Sequence, residues 1–157
     1  MKRIVFICHG NICRSPMAEF IMKKLLKDAG REKEFDIDSM AVSGEEWGNP
    51  IYSPVKAKMR EHGIPFTEHH AHKITPAEFA AADLIIIMDE SNRRLLHRIV
   101  GDAADTSKVQ LLMSYAGQNR DVADPWYTGD FETTYRDIIA GATALLQSLS
   151  FQTDVDA

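Results

Sequence analysis

The chain has 157 residues, of which 45% are hydrophobic and 26% are charged, and its formal net charge is -5. This length fits one domain, and the composition supplies an ordinary globular core, which makes disorder, a collagen-like fibre and a coiled coil poor interpretations. The negative charge argues against binding along a nucleic-acid backbone, although it still allows a local anion pocket. We therefore expect a single domain over residues 1–157 that binds no nucleic acid.

The N-terminal segment is basic, but its apolar run, Ile4 to Cys8, stops at His9 and Gly10. That run is too short for the apolar region of a signal peptide or for a membrane span. The only other cysteine is Cys13, and two cysteines are too few for a disulfide framework. These features predict a cytoplasmic protein with no membrane association, whose thiols have a chemical role.

The first half of the chain alternates between apolar runs and amphipathic segments. A strand over Lys2 to Cys8 precedes a helix that begins near Pro16 and carries apolar side chains at helical spacing. A second strand is expected near Phe35 to Val42. After a loop, helical character returns over Pro54 to His62.

The second half repeats this alternation. A short helix over Pro76 to Ala82 is followed by Asp83 to Met88, a continuously apolar run typical of a strand buried on both faces. Asp89 or Ser91 then caps a helix that continues to about Val100. Strands that alternate with helices imply a parallel sheet covered on both faces, which is an α/β three-layer sandwich.

The C-terminal third contains one more apolar run, Val109 to Met113, and a polar stretch from Ser114 to Gly129. A final helix has apolar residues on one face from Phe131 to Leu149. The last residues, Gln152 to Ala157, are expected to form a frayed tail.

The segment between the first strand and the first helix has the composition of a phosphate-binding loop. Its sequence from Cys8 to Ser15 is CHGNICRS, in which Gly10 and Asn11 suit a tight turn. The backbone N–H groups of such a loop form an anion nest, which the positive end of the helix reinforces. The planar guanidinium of Arg14 can bind two phosphoryl oxygens at once.

Cys8 is the candidate nucleophile, because thiols beside a helix N-terminus and an arginine ionise readily. The Ser15 hydroxyl is placed to hydrogen-bond the resulting thiolate. The alternative is that Cys8 is a buried strand residue and Arg14 a surface residue at a helix end, since a cysteine, five residues and an arginine recur by chance.

A phosphoester leaving group needs a proton, so a thiolate nucleophile needs an acid partner. Asp124 is the best candidate, because Pro125 and two aromatic residues follow it in the late polar loop. From spacing alone, an ordinary Asp-Pro turn is the better interpretation.

Residues 8–19, CHGNICRSPMAE, resemble the signature of the low-molecular-weight protein tyrosine phosphatases. The resemblance extends over nearly the whole chain, including Asp83 to Asn92 and Asp124 to Tyr127. It implies a four-stranded parallel sheet and hydrolysis of phosphotyrosine in proteins, without metal or cofactor. It also implies that Cys8 forms a phosphocysteine, that Arg14 stabilises charge, and that Asp124 protonates the leaving group and then activates water.

The resemblance adds two roles within the loop. Asn11 is expected to brace the loop by side-chain hydrogen bonds, with Ser39 as one partner. Cys13 is expected to form a reversible disulfide with Cys8 under oxidation, making the protein redox-regulated. From the residues alone, Cys13 is equally a buried small residue that shapes the loop.

The expected rim of the site is aromatic. Trp126, Tyr127 and Trp47 are candidate walls for a flat substrate ring, although Trp47 is explained as well by a surface anchor. Ile12 matches the tyrosine-directed relatives, whereas phosphoarginine-directed relatives carry Thr. His9 departs from the family, which commonly has an apolar residue there. The predicted substrate-binding residues are His9, Gly10, Asn11, Ile12, Cys13, Ser15, Trp47, Trp126 and Tyr127.

Two polar clusters are assigned no catalytic role. The histidines at 69, 70 and 72 lack the spacing of a metal site, and we expect His70 or His72 to form a structural hydrogen bond near the phosphate loop. A basic helix face is expected to be solvated and at most a weak partner surface, and it consists of Arg93, Arg94, His97 and Arg98.

Other functions stay open at this point. A phosphoarginine phosphatase or a thiol-dependent arsenate reductase would share the fold, but the reductase needs downstream cysteines beyond Cys13. A noncatalytic phosphate-binding module would tolerate loss of Cys8 or Asp124, and a phosphocysteine carrier would not need Arg14. The sequence favours a tyrosine phosphatase that is monomeric or weakly dimeric and acts on phosphotyrosine-containing proteins.

Overall fold

The computed structural model describes the backbone of residues 1–156 and the side chains of residues 1–149. Four parallel strands form one sheet in the order β2-β1-β3-β4, which confirms the predicted parallel α/β sheet. The strands are β1 (Lys2–Cys8), β2 (Phe35–Ala41), β3 (Leu84–Ile87) and β4 (Val109–Leu111).

The strand order indicates at which edge of the sheet a ligand can bind. From β1 the chain adds β2 on one side and then β3 and β4 on the other, so the direction of addition reverses at β1. In open parallel sheets, ligands bind in the crevice at the carboxyl ends of the strands where this reversal occurs. Cys8 ends β1 and Asp89 follows β3 at the same edge.

Helices cover both faces of the sheet. α1 begins two residues before the predicted start at Pro16, because proline is tolerated in the first turn of a helix. The short helix α5 has only four residues, too few for a periodic sequence signal. The helices are α1 (Arg14–Asp28), α2 (Ser53–Glu61), α3 (Pro76–Ala81), α4 (Glu90–Val100), α5 (Pro125–Thr128) and α6 (Phe131–Asp156), with 3₁₀ turns at Thr106–Lys108 and Leu112–Ala116.

The sequence predicts a frayed tail from residue 152, but the helix α6, Phe131–Asp156, continues past that position. The side chains of residues 150–156 and the whole of Ala157 lie outside the described residues. Among the described residues, none of the helices combines the length and the apolar character needed to cross a bilayer.

Strand β1 separates two hydrophobic cores. Ile4, Phe6 and Cys8 belong to the larger core, which is shared with α1, α2 and α6. Val5 and Ile7 belong to the smaller core, on the face covered by α3 and α4. The run of consecutive buried residues is therefore explained by helices on both faces of the sheet. Because successive side chains of β1 point to opposite faces, the Cys8 side chain lies on the face that α1 covers.

Helix α6 approaches the 3₁₀ turn at Leu112 unusually closely. A Cβ atom added at Gly141 would lie 2.6 Å from the Cγ atom of Leu112, whose side chain is fully buried. We expect Gly141→Ala to lower the free energy of unfolding by about 1–3 kcal/mol, because overpacking outweighs the gain in helix propensity. Urea denaturation measures this change.

Leu112→Ala supplies the control background, since it removes the atoms that the new methyl group meets. In that background Gly141→Ala should be neutral, or stabilising by up to about 1 kcal/mol. An equal cost in both backgrounds would rule out the close packing as the cause.

Candidate active site

The loop between β1 and α1 is fixed by backbone contacts at its start and by an unusual turn at Asn11. The carbonyl oxygens of Cys8 and His9 accept hydrogen bonds from the N–H groups of Val42 and Ser43, at 3.2 and 3.0 Å. Asn11 has a φ of +62°, a left-handed conformation that asparagine adopts more readily than most residues. This turn brings the end of the loop back over the end of β1.

Two hydrogen-bond donors converge on the buried sulfur of Cys8. The Asn11 backbone N–H lies 3.3 Å from the Sγ atom, and the Ser15 Oγ atom lies 3.0 Å from it. Because Ser15 Oγ also accepts a hydrogen bond from the Asn11 side-chain amide at 2.8 Å, its own hydrogen is free for the sulfur. Donors in these positions can stabilise negative charge that develops on the sulfur during a reaction.

Asn11 is the centre of a buried hydrogen-bond network, as predicted. Its amide nitrogen also donates to Ser39 Oγ at 3.1 Å, and its Oδ1 atom accepts from the His72 backbone N–H at 3.1 Å. The His69 Nε2 atom lies 3.1 Å from the same Oδ1 atom, so it donates that hydrogen bond. Of the two histidines predicted near the loop, His72 takes part through its backbone, while the His70 ring contacts Gly48 and Glu68 instead.

Glu19 is a member of this network that sequence reasoning missed. It is a buried acid in α1 that accepts a hydrogen bond from Ser39 at 2.6 Å. It also forms an ion pair with Lys23 at 2.6 Å. The available sequence signal was a glutamate set between Ala18 and Phe20 in the apolar part of the helix.

Arg14 is held by two separate parts of the chain, Asp89 and the segment 122–124. Its Nη1 atom donates to the Asp89 carboxylate and to the Val122 carbonyl, both at 2.8 Å, and its Nη2 atom lies 3.4 Å from Asp124. The residue is 2% exposed. Burial alone lowers the pKa of Arg14, but the nearby Cys8, Asp89 and Asp124 raise it above its usual value, so the guanidinium keeps its charge.

Asp89 caps α4 and also orients Arg14. Its side chain accepts a hydrogen bond from the Asn92 backbone N–H, which confirms the capping prediction. Burial alone raises the pKa of Asp89, but the Ser91 hydroxyl and Arg14 lower it below its usual value, and the group is a carboxylate at neutral pH. Its pairing with Arg14 was not predicted, because the two residues are 75 positions apart.

The first turn of α1 presents free donors to the site. Within the described part of the chain, no acceptor is bound by the backbone N–H groups of Ile12, Cys13, Arg14 or Ser15. The helix has no side-chain cap and no acidic residue in its first turn. The positive end of α1 is therefore available to an anion.

These groups surround a cavity of about 80 Å³ that accommodates a group of phosphoryl size. Cys8, Cys13 and Arg14 line it together with Asp124. Gly10 lies close to the opposite wall, since an added Cβ atom would be 3.2 Å from Glu46 Cγ. The other residues that line the cavity are His9, Ile12, Glu45, Glu46, Trp126 and Tyr127.

The predicted aromatic residues divide into two groups. Trp126 and Tyr127 line the cavity and are largely exposed, and Trp126 packs on Tyr52 with ring centroids 4.9 Å apart. Trp47 instead packs on the His72 ring at 4.9 Å and does not line the cavity. Asn11 and Ser15 do not line the cavity. They contact the Cys8 sulfur instead and support the shape of the loop.

Cys13 lies in the cavity wall beside Cys8, and both thiols are free. Burial raises the pKa of the Cys13 thiol well above its ordinary value, and the neighbouring Cys8 raises it further. Cys13 is therefore protonated at neutral pH, unlike a thiol suited to nucleophilic attack.

One side-chain cluster elsewhere has donor types that suit a metal ion. Glu61, His62 and Glu132 place their ligand atoms within 4.8 Å of one another. The Lys58 ammonium already lies 2.7 Å from both carboxylates, and hydrogen bonds from Lys58 and His62 lower the pKa of Glu132 to about 2. This cluster is an ion-pair network between α2 and α6.

Comparisons with known proteins agree along the whole chain. A family model described as low molecular weight phosphotyrosine protein phosphatase matches residues 3–155. The human protein of that name is 41% identical over 150 residues, covering 93% of this chain and 94% of its own. The Bacillus subtilis protein-tyrosine-phosphatase YfkJ is 36% identical over 151 residues, covering 95% of this chain and 96% of its own.

Solved structures are similar to this chain over nearly its whole length. The crystal structure of Bacillus subtilis YfkJ has a TM-score of 0.92 at 35% identity and covers 97% of this chain and 96% of its own. That of DARP, a Drosophila arginine phosphatase, has a TM-score of 0.85 at 29% identity, with coverages of 95% and 98%. The fold is therefore common to proteins named for different phosphorylated residues.

The Asn11 network generates a prediction about stability and anion binding. Asn11→Ala leaves Ser15, Ser39 and the His72 N–H without their buried partner and places alanine at a positive φ. We expect the free energy of unfolding to fall by about 2–4 kcal/mol and inorganic phosphate to bind more weakly. Urea denaturation and calorimetric titration measure the two effects.

Asn49→Ala is the matched control, because Asn49 is exposed and its side chain donates a hydrogen bond to the nearby Glu46 at 2.7 Å. This variant should stay within about 0.5 kcal/mol of the parent. If the two asparagine variants lost equal stability, the Asn11 network would have no special role.

Proposed function

The chain belongs to the low molecular weight phosphotyrosine protein phosphatase family, and we propose that the cavity above Cys8 is the site where it hydrolyses phosphotyrosine in proteins. As a member of this family it is a hydrolase of phosphoric monoesters. One observation carries the assignment of the site. The Asp124 carboxyl lines the same small cavity as the Cys8 thiol and the Arg14 guanidinium, although Asp124 is 110 positions from Arg14 in the sequence.

In the first step, the Cys8 thiolate attacks the phosphorus atom of the bound phosphotyrosine. A sulfur–phosphorus bond forms while the bond from phosphorus to the tyrosyl oxygen breaks. The protonated Asp124 carboxyl gives its proton to the departing oxygen, so that tyrosine leaves as a neutral phenol. The products of this step are tyrosine and a phosphocysteine.

In the second step, water replaces the sulfur. The Asp124 carboxylate takes a proton from a water molecule, whose oxygen attacks phosphorus, and the sulfur–phosphorus bond breaks. The Ser15 hydroxyl and the Asn11 N–H stabilise the thiolate that leaves, since both already contact the sulfur. Inorganic phosphate is released and the enzyme returns to its starting state.

Arg14 stabilises the charge that the phosphoryl group carries through both steps. Its Nη1 atom is committed to Asp89 and Val122, which leaves Nε and Nη2 as donors for two phosphoryl oxygens. The contact from Nη2 to Asp124 is long, at 3.4 Å, and is the one that a bound phosphate replaces. The amides at the start of α1 supply the remaining donors, and no step requires a metal ion.

The rim favours an aromatic ester. Trp126 and Tyr127 lie beside Asp124 and can flank the ring of phosphotyrosine as its oxygen approaches the acid. Ile12 adds an apolar side chain to the same wall. Trp47 is not assigned a wall in this proposal, because it packs on His72.

We further propose a single phosphatase domain over residues 1–157 that acts in the cytoplasm as a monomer or weak dimer. An oxidant such as hydrogen peroxide would convert Cys8 to a sulfenic acid, releasing water. The Cys13 thiol would then condense with it, releasing a second water and forming a disulfide that thiols reduce. The adjacency of both cysteines in the cavity wall supports this regulation.

The acid role of Asp124 predicts a dependence on the leaving group. Asp124→Ala should lower kcat by about 10²–10⁴-fold for phenyl phosphate and by clearly less for p-nitrophenyl phosphate, whose better leaving group needs less protonation. Cys8→Ser should lower kcat for both esters by more than about 10³-fold while inorganic phosphate still binds. Steady-state assays in EDTA measure these rates, and EDTA should not slow the parent enzyme.

Asp102→Ala is the control for Asp124→Ala. Asp102 lies beyond the end of α4, is almost fully exposed and contacts the His97 side chain. It should leave kcat unchanged for both esters. Equal losses for both leaving groups in Asp124→Ala would contradict the acid role, and activity that survived in Cys8→Ser would exclude the thiolate mechanism.

A second prediction distinguishes phosphotyrosine from phosphoarginine, because DARP, a protein of the same fold, is named an arginine phosphatase. We expect kcat/KM for a phosphotyrosine peptide to exceed that for the matching phosphoarginine peptide by at least about tenfold, a difference of about 1.4 kcal/mol in transition-state stabilisation. Release of inorganic phosphate measures both. A preference for phosphoarginine would overturn the substrate assignment without affecting the roles of Cys8 and Arg14.

A further inference from the structure

The outer wall of the cavity is acidic, which is unusual for a site that admits a phosphate. Glu45 and Glu46 line it from the segment that follows β2. The Glu45 side chain is 73% exposed, and the Nε2 atom of His9 lies 3.3 Å from its carboxylate. Both acids were outside the set of residues predicted from the sequence.

Glu46 is fixed in place rather than freely mobile. Its Oε2 atom accepts a hydrogen bond from the Asn49 side chain at 2.7 Å, and its Cγ atom lies 3.2 Å from the position of a Cβ atom at Gly10. Within the described residues its other carboxylate oxygen has no hydrogen-bond partner. One acceptor is therefore held at the mouth with a free lone pair.

None of the described residues that line the cavity places a lysine or arginine side chain beside these acids at the mouth. Of the described residues that line the cavity, Arg14 alone has an arginine or lysine side chain, and it is buried and paired with Asp89 and Asp124. Lys73 passes beside Gly44 but does not line the cavity. The cavity thus has a cationic floor, formed by Arg14, and an anionic rim, formed by Glu45 and Glu46.

A bound phosphotyrosine would use these two regions differently. Its phosphate lies on the floor beside Arg14, while the residues before and after the tyrosine stay at the mouth. Acidic neighbours in the substrate would meet Glu45 and Glu46 as like charges, whereas lysine or arginine would meet them as opposite charges. The rim therefore selects by repulsion as well as by attraction.

We infer that Glu45 and Glu46 make this enzyme selective for phosphotyrosine flanked by lysine or arginine. This inference rests on the proposed function, since it concerns the same cavity. Each exposed pair contributes modestly, so the two carboxylates together should favour a lysine-flanked peptide over a glutamate-flanked one by about 5- to 20-fold in kcat/KM at low salt. The preference should shrink as ionic strength rises, because these charges are solvated.

The test measures kcat/KM for two phosphotyrosine peptides of equal length, one with lysines and one with glutamates beside the phosphotyrosine. In the double variant Glu45→Gln/Glu46→Gln, the ratio between the two peptides should fall to within about twofold of unity. In Glu45→Lys/Glu46→Lys the ratio should invert in favour of the glutamate-flanked peptide. Thermal unfolding checks that the variants are folded, which is expected because the Glu45 side chain is mostly exposed.

Glu32→Gln/Glu34→Gln is the matched control. It changes the net charge by the same amount at the opposite edge of the sheet, where Glu34 precedes β2 and pairs with Arg31. This control should keep the parent's ratio between the peptides. If it lowered the ratio as much as Glu45→Gln/Glu46→Gln, net charge and not the rim would be responsible, and the inference would be wrong.

The outcomes separate this inference from the proposed function. Hydrolysis of both peptides at equal kcat/KM by the parent enzyme would overturn the rim selectivity and leave the phosphatase assignment intact. Failure of the parent to release phosphate from either peptide would overturn the proposed function itself. A lysine preference that persisted in Glu45→Gln/Glu46→Gln would also contradict the role of these two carboxylates.

Discussion

The ion pair between Arg14 and Asp89 is the interaction on which the rest of the site depends. Arg14 starts α1 at the carboxyl end of β1, and Asp89 caps α4 at the carboxyl end of β3. A buried guanidinium without such a partner would be strongly destabilising, because it would lose its hydration without compensation. The two strands that meet at the reversal in strand order are thereby joined by the group to which we assign phosphate binding.

Electrostatic differences over short distances make the proposed anion site compatible with a net charge of -5. At the floor, Arg14 and the free amides at the start of α1 concentrate positive potential in a buried space, where charges interact more strongly than in water. At the rim, Glu45 is exposed and Glu46 is half-buried, so solvent screens their charges more than it screens the charge of Arg14. In the proposed function, the floor binds the phosphate and the rim selects among phosphate-bearing chains.

Rigidity of the loop comes from polar contacts, since its backbone is too short and irregular to form secondary structure. Asn11 satisfies groups from the loop, from β2 and from the segment around His72 at the same time. Because every partner is buried or half-buried, partial loss of the network would leave unsatisfied groups. This arrangement keeps the Cys8 sulfur and its donors in place before a substrate arrives, which is what electrostatic preorganisation requires.

The sequence by itself determined the alternation of strands and helices, the loop between β1 and α1, and the cap of α4. These features depend on local patterns, namely apolar periodicity, a helix start and capping residues, and they are written in consecutive residues. Only the tertiary structure decided that Asp89 holds Arg14, that Glu19 and His69 support the loop, and that Glu45 and Glu46 form the rim while Trp47 packs on His72. These contacts join residues far apart in the chain, and their geometry follows from the strand order and from side-chain packing, neither of which a local pattern encodes.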